Sequence, residues 1–516
     1  MDKRLIFAIA LSMLILLSWS RIAPKLYPVA EQPLTGNIVE SGRTVERAGG
    51  NFPSRDAIQE SPVEAEPLAD PQLIELERDG MILVFDQGRA AIKEVIFKDY
   101  LSHKFDLQRG FQLGLDGVVF QSGAVSSREA SFSFSDPVKR ITKRFIFSKS
   151  KYAIELELTV ENLSSGSIIV DLPLTLAELD FSRGRQRMSF KHIAVNTPEA
   201  TLHFGKPVDK DFQSAKFLAA RDRYFCVIVQ PEDLDRGAAA RIRKHGSSAI
   251  ASLLLPELTL APGAERTLNF HIYLGPQELQ VISSVNQEWT DVIYFGRLDF
   301  IAQILLQLLG FLYGIVHNWG VVILILSVLI YFLLYPLTLK QMRSMKAMQA
   351  LQPKIAELRN TYKDNPQKLN KATMELYREH KVNPLGGCLP LLFQIPVFFT
   401  LYQVLMRSVA LKGAHFLWIK DLSEPDRLFT LPTALPVLGD EINILPILMA
   451  LGMFFQQKIT MATSAGGSKE QQKMMMILFP LLFGFIFYRM PSGLVLYWFT
   501  NSTFMLINQL RIARAK

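Results

Sequence analysis

The side chains that could do covalent or redox chemistry are few in this 516-residue chain, and their spacing assembles no site. Eight histidines are scattered without metal-ligand spacing, and two cysteines, Cys226 and Cys388, exclude a disulfide framework. There is no glycine-rich phosphate loop, no dinucleotide fingerprint, no HExxH and no GxSxG. No catalytic residue, metal or cofactor is expected. What remains is hydrogen-bonding chemistry in apolar surroundings: Ser327, Gln394, Thr400, Gln403, Thr500, Asn501, Ser502 and Asn508 lie in or at the ends of otherwise apolar segments. One such group alone is ordinarily glue between helices, worth roughly 0.6 kcal/mol. Together, on three segments, they could line a wet concavity. Such a concavity would lower the cost of carrying polar chain partway across a bilayer, where each unsatisfied backbone group costs several kcal/mol.

The elements that would position these groups are membrane spans. Hydrophobic residues make up 49% of the chain and charged ones 20%, and the two classes are segregated along it. Apolar runs predict five spans, about Trp319–Tyr335, Leu389–Met406, Ile442–Phe455, Met474–Tyr488 and Leu494–Ile507. Several are shorter than the ~20 residues an ordinary bilayer requires, which implies local thinning or shielding by partners. The loop Thr338–Leu385 carries ten Lys and Arg against four acids, whereas Ala410–Asn443 carries three against five. The first loop is therefore cytoplasmic and the second external. The tail 512–516 is basic, hence cytoplasmic, and the net charge of +8 follows from topology without invoking nucleic acid. None of the spans contains Asp or Glu, which argues against an ion-coupled transporter.

Residues 1–20 place Lys3 and Arg4 before a short apolar run; the poor small-x-small site at Ser18-Trp19-Ser20 favours an uncleaved signal anchor, a sixth span, over a cleaved signal peptide. Residues 21–70 read as a flexible linker. From 71 to 285 the period is that of strands. Ile154–Glu161 alternates strictly, and Asp79-Gly80 joins Leu73–Arg78 to Met81–Asp86 as a hairpin. This predicts one large β-sandwich, which must lie in water because open sheet edges are not tolerated in lipid. In 286–318, Asp299, Gln303, Gln307, Gly310 and Gly314 form one stripe of an otherwise apolar helix, read as amphipathic and interfacial. The core 319–511 carries a cytoplasmic helical hairpin, 338–385. Its Met342, Met345 and Met348 could form an adaptable face for apolar clients or pack against the hairpin's own second arm.

Several strings in register carry a resemblance. Val382-Asn383-Pro384-Leu385-Gly386-Gly387-Cys388-Leu389-Pro390, running on to Pro396, resembles the YidC/Oxa/Alb membrane insertases. So do Tyr335-Pro336-Leu337-Thr338, Leu351-Gln352-Pro353-Lys354, Phe416–Leu422 and Pro491–Tyr497; the match covers about 295–511. The anchor and external domain look like the Gram-negative form, whose periplasmic domain is similar to a galactose-mutarotase supersandwich. The resemblance thus implies a polytopic α-helical membrane protein with six transmembrane helices, five forming the insertase core, plus an all-β periplasmic supersandwich domain.

It also implies a protein of the cell inner membrane with both termini cytoplasmic, and no enzyme. Nascent membrane proteins, lipoproteins among them, would be its clients, with the Sec translocon, the ribosome and the lipid bilayer as partners. A client's polar tail would enter a groove open to cytoplasm and lipid, without nucleotide. Carried over by register, the groove positions are Ser327, Tyr331, Gln394, Ile395, Phe398, Tyr497 and Trp498, with Asn501 beside them; each is equally compatible with ordinary packing. Tyr331 stands where the family usually has an arginine, so direct salt bridging of acidic client tails is not expected there. Two rivals make different demands. A transporter or channel calls for acids or inverted repeats in the spans, and a tethered carbohydrate-binding or lyase module calls for a catalytic constellation in 71–275. Neither feature is present in the sequence.

Overall fold

Period-two alternation becomes sheet from the first described strand onward. In the computed structural model, residues 72–514 are described apart from 116, 183–189, 233–236, 364, 383–388, 436–438 and 464–468. The expected anchor and linker, and Asn383–Cys388 of the signature string, lie outside the described residues. Leu73–Arg78 and Met81–Asp86 pair antiparallel, and Asp79 (φ 44°) and Gly80 (φ 77°) make the turn that two-residue hairpins favour. Among the described residues the strands between Leu73 and Pro276 form sheets of nine, five, four and two strands, all pairs antiparallel. Ala153–Asn162 is central in the nine-stranded sheet. Ile154, Leu156, Leu158 and Val160 face the core while Glu155, Glu157 and Glu161 face away. These side chains join Leu174, Leu176, Ile242 and Leu253 of the five-stranded sheet in one apolar core.

The strands Phe217–Arg221 and Phe225–Pro231 are buried on both faces. Their second face, through Phe217, Ala219, Cys226 and Ile228, is covered by Ile282 of helix α1 (Leu279–Val285) and by Trp289 and Val292 of the following 3-10 turn. That second core is continuous with the core of the helical region: it includes Leu326, Leu401 and Leu494.

Helix α2 (Asp299–Val316) has three faces. Ala302, Leu305, Leu309 and Leu312 are buried, Phe300, Ile304, Phe311 and Ile315 are exposed and apolar, and the Asp299–Gln303 stripe bonds back to the connector at Phe295 N and Ile293 O. A left-handed residue, His317, ends it, and Tyr313 stacks on Trp319 at 4.2 Å to set the turn into the next helix. Then follow α3 (Trp319–Ala350), α4 (Gln352–Thr361), α5 (Pro366–Glu379), α6 (Leu389–Arg407), α7 (Ile444–Thr463), α8 (Lys469–Phe487) and α9 (Ser492–Arg514). By length and composition Asp299–Val316 and Trp319–Lys340 are apolar enough to cross a membrane, while the apolar parts of α7 and α8 are shorter, Ile444–Ile459 and Met476–Phe487. Exposed Leu329, Phe332, Leu333, Phe399, Leu451, Phe455, Leu481 and Phe485 give the bundle the apolar exterior that lipid rather than water demands.

The first arm of the hairpin expected over 338–385 is continuous with the first span: α3 runs unbroken through Pro336 to Ala350, so Met342, Met345 and Met348 lie on the span's own extension. Proline is tolerated inside a membrane helix. The break comes instead at Leu351, and Pro353 falls in the first turn of α4, the position a proline favours.

Candidate functional site

The polar groups expected within the spans divide into two sets. The hydroxyls of Ser327, Thr400 and Thr500 each donate to the carbonyl four residues earlier, Ile323, Pro396 and Leu496, at 2.7–2.8 Å. All three are buried. Such back-bonding satisfies the hydroxyl within its own helix, so these side chains offer little to a passing chain. Of the amides, Gln394 bonds between helices and Asn501 within its own. Gln394 of α6 donates through Nε2 to the Tyr497 hydroxyl of α9 at 2.9 Å, and Asn501, one turn on, donates to the Tyr497 carbonyl at 3.2 Å. Tyr497 is fully buried, whereas Gln394 and Asn501 are half-buried, so the trio sits at the boundary between packed interior and accessible surface.

An aromatic cluster is built from the same two helices as this trio and from α8. Phe398 meets Trp498 edge-on at 5.0 Å, and Phe483 and Phe487 of α8 complete the cluster at 5.8 and 5.5 Å from Trp498. Tyr331 is apart from it: its ring lies 5.5 Å from Phe504 and 6.0 Å from Tyr335. Ile395 is 43% exposed. Met348 is half-buried on the extension of α3, and the side chains of Met342 and Met345 are outside the described part. The structure thus brings Gln394, Tyr497, Asn501, Phe398 and Trp498 together, and sets Ser327, Tyr331 and the methionines elsewhere.

The opposite end of the bundle is filled. The loop after α6 buries Leu411, Ile419 and Leu422 over the starts of α3 and α9. Gly320 and Gly493 permit this approach. A methyl on Gly320 would come within 2.0 Å of the Phe416 ring, and one on Gly493 within 3.1 Å of the Leu422 carbonyl. Backbone bonds from Ser492 to Glu424 and from Gly493 to Leu422 tie the loop to α9. Buried Asp426 holds the other side: its Oδ2 accepts from Ile444 N, Leu445 N and Trp418 Nε1 at 2.9, 3.0 and 3.2 Å. Asn443 donates to the Tyr488 carbonyl at 2.9 Å, and the Tyr488 hydroxyl donates to the Glu441 carbonyl. Sequence reasoning counted Asp426 only as loop charge. Its signal was an acid that could cap the apolar run after Asn443, but it stands 18 residues ahead of that run rather than next to it.

A large polar junction lies where the β-domain meets the helices. A cavity of about 380 Å³ is lined by Thr201, His203, Asp291, Tyr294, Asp299 and Gln303 among others. His203 stacks on Tyr294 at 4.4 Å, and burial, reinforced by Arg221 and Arg407, lowers its pKa to about 3, so the imidazole is neutral. No group of His, Cys, Asp and Glu able to hold a metal is found among the described residues.

A β-domain fused to a helical bundle with an apolar exterior, with a polar trio at the edge of the bundle and one end filled, defines a membrane protein that carries a large β-domain. The family model of the 60Kd inner membrane protein matches residues 311–516, and that of the YidC periplasmic domain matches 121–308. The membrane protein insertase YidC of Pelobacter propionicus is 32% identical, with 99% of each chain covered. That of Geobacter sulfurreducens is 37% identical over 79% of this chain and 76% of its own. A crystal structure of an active YidC insertase with its first transmembrane domain resolved is 20% identical, covers 86% of this chain and 93% of its own, and gives a TM-score of 0.42. This chain belongs to the YidC family of membrane protein insertases, which are not enzymes, and is an inner-membrane protein with a periplasmic β-domain.

Proposed function

We propose that this chain inserts integral membrane proteins into the inner membrane and helps them fold, lipoproteins among its clients, alone or beside the Sec translocon. The observation that carries the reading is the interhelical bond from Gln394 to Tyr497, with half-buried Asn501 one turn on, at the edge of an otherwise apolar bundle whose far end is filled. These neutral donors and acceptors can exchange partners with a client's backbone. A polar tail then enters from the cytoplasmic side without leaving its groups unsatisfied. The client's apolar segment slides into lipid along Phe398 and Trp498, and its burial supplies the driving force at roughly 25 cal/mol per Å². Tyr331 and Ile395 line the route beyond the trio, Ser327 lies behind it in the packed interior, and Met342, Met345 and Met348 on the extension of α3 receive the emerging chain. Six spans, with both termini and the basic loop in the cytoplasm, agree with the charge distribution. α2 lies in the outer interface, its exposed apolar face in lipid and its polar stripe toward the β-domain. The ribosome reaches the chain through the cytoplasmic hairpin.

The test is replacement in a host depleted of its own insertase, with insertion of a one- or two-span client scored by protease access. Rescue is expected from the wild-type chain and reduced rescue from Gln394→Ala. Tyr331→Arg is expected to improve acidic-tailed clients selectively. Absence of rescue by correctly inserted wild-type chain, followed by inactivity of the purified protein in vesicles, would remove the proposal.

A further inference from the structure

The β-domain is joined to the bundle by more than its covalent connector. The strands Phe217–Arg221 and Phe225–Pro231 are linked by a turn, Asp222–Tyr224, that reaches into the helical region. The turn is stiff. Asp222 Oδ1 accepts from the amides of Tyr224 and Phe225, both at 2.7 Å, while Oδ2 pairs with His103 at 2.9 Å. Gln277 braces it from behind through the carbonyls of Asp222 and Phe225. From this support Arg223 projects outward. Its Nε donates to the Met406 carbonyl at 2.6 Å and its Nη2 to the Ser423 carbonyl at 3.3 Å. Met406 lies in the last turn of α6, where carbonyls have no partner within the helix and a cation is favoured by the helix dipole. Ser423 belongs to the loop that fills the outer end of the bundle. One guanidinium therefore clamps the end of a span and the filling loop together, both from the β-domain. Tyr224, buried beneath, lies between two cations, Arg223 at 4.6 Å and Lys412 of the same loop at 5.2 Å. A reciprocal strap runs the other way. Arg407, the last residue of α6, donates to the Tyr294 carbonyl at 2.9 Å and covers the Phe295 ring at 4.4 Å, and Arg221 donates to that same carbonyl at 3.1 Å.

We infer that Arg223 is a positioning residue that locks the periplasmic end of the groove shut, so that the β-domain serves as the bolt of the insertase rather than as a separate module. The inference rests on the reading of the bundle as a groove open on the cytoplasmic side only. Its physical basis is that the loop's own apolar contacts seat it, while Arg223 prevents the loop and the end of α6 from separating when a client pushes the spans apart. A charge-assisted bond of this kind shifts an open–closed equilibrium by about tenfold to a hundredfold.

The test uses the full chain in its membrane, with Cys388→Ser to remove one thiol and Ser327→Cys as reporter. Ser327 is fully buried beneath the filled end, and the exchange is nearly isosteric. Cys226, buried in the β-domain, stays and is controlled for by the chain lacking the reporter. A membrane-impermeant maleimide is added from the periplasmic side. Expected is little labelling in the parent, a rise of about tenfold or more in Arg223→Ala, and a return most of the way to parental protection in Arg223→Lys. A purely structural role would lower the amount of chain in the membrane without changing labelling per molecule. Unchanged labelling in Arg223→Ala, at parental membrane level, overturns the inference. Should that variant be degraded, Arg223→Gln, which keeps a donor but no charge, is read against the same two outcomes. Labelling needs no client, so failure of the insertion assay in the unsubstituted chain removes the functional proposal, while the ratio of labelling between Arg223→Ala and its parent is read separately.

Discussion

Lys143 is the residue least foreseen by its sequence. In Lys139–Phe147 it shares parity with Ile141 and Phe145, so the strand turns it inward, where it is fully buried. Its ammonium donates to the carbonyls of Ala90 and Phe111 and lies 5.2 Å from the Phe145 ring centre. Burial lowers its pKa from the ordinary 10.5 to about 7. Below about pH 7 the amine is charged in both folded and unfolded chains, and no slope arises. Between there and 10.5 the unfolded chain holds a proton that the folded one has released, so stability rises with pH. The gain is on the order of a few kcal/mol, and Lys143→Met should flatten it. The check is the midpoint of thermal unfolding of the β-sheet signal in the solubilised chain at neutral and mildly alkaline pH. Alternation alone would have placed Lys143 inside, and its charge alone outside; only the two carbonyls that receive it decide, and they are 53 and 32 residues away. The same holds for the trio. Gln394 and Tyr497 could be singled out from the sequence, but their hydrogen bond joins residues 103 apart.

At the scale of elements, strands were legible because each carries its own period, and Leu73–Arg78 and Met81–Asp86 fall where alternation and Asp79-Gly80 put them. Helix ends were less so. α3 passes through Pro336 and stops at Leu351, and α7 starts at Ile444 because Asp426 and Asn443 fix its first turn from the side. Asp426 behaves as an N-cap borrowed from a distant part of the loop, since the first amides of any helix lack partners. Asp426→Ala should cost about 2 kcal/mol. The expected signature is faster hydrogen exchange at the Ile444 and Leu445 amides, by roughly tenfold or more, with the β-sheet amides unchanged. Equal acceleration in both regions would mean that Asp426 supports the whole chain rather than this end of α7.

The molecule as a whole presents the bilayer with unequal helices. At 1.5 Å per residue, the apolar run Met474–Tyr488 would span about 22 Å, against roughly 30 Å of hydrocarbon in a typical membrane. On the proposed function, lipid thins beside α8 and shortens the path of a client's polar tail. Insertion in reconstituted vesicles should therefore slow as acyl chains lengthen, and four leucines added within α8 should move the optimum toward thicker bilayers. A rate independent of chain length would remove this account. The clamp between β-domain and bundle adds an order of events to that picture. Arg223 is translated 183 residues before Met406 and 200 before Ser423, so its turn is made before either acceptor exists. Closing a loop of that length costs only slightly more than closing a shorter one. On the inference drawn above, sealing of the outer end waits for the last acceptor, so a chain cut short before Ser423 would leave the Arg223 guanidinium without that partner.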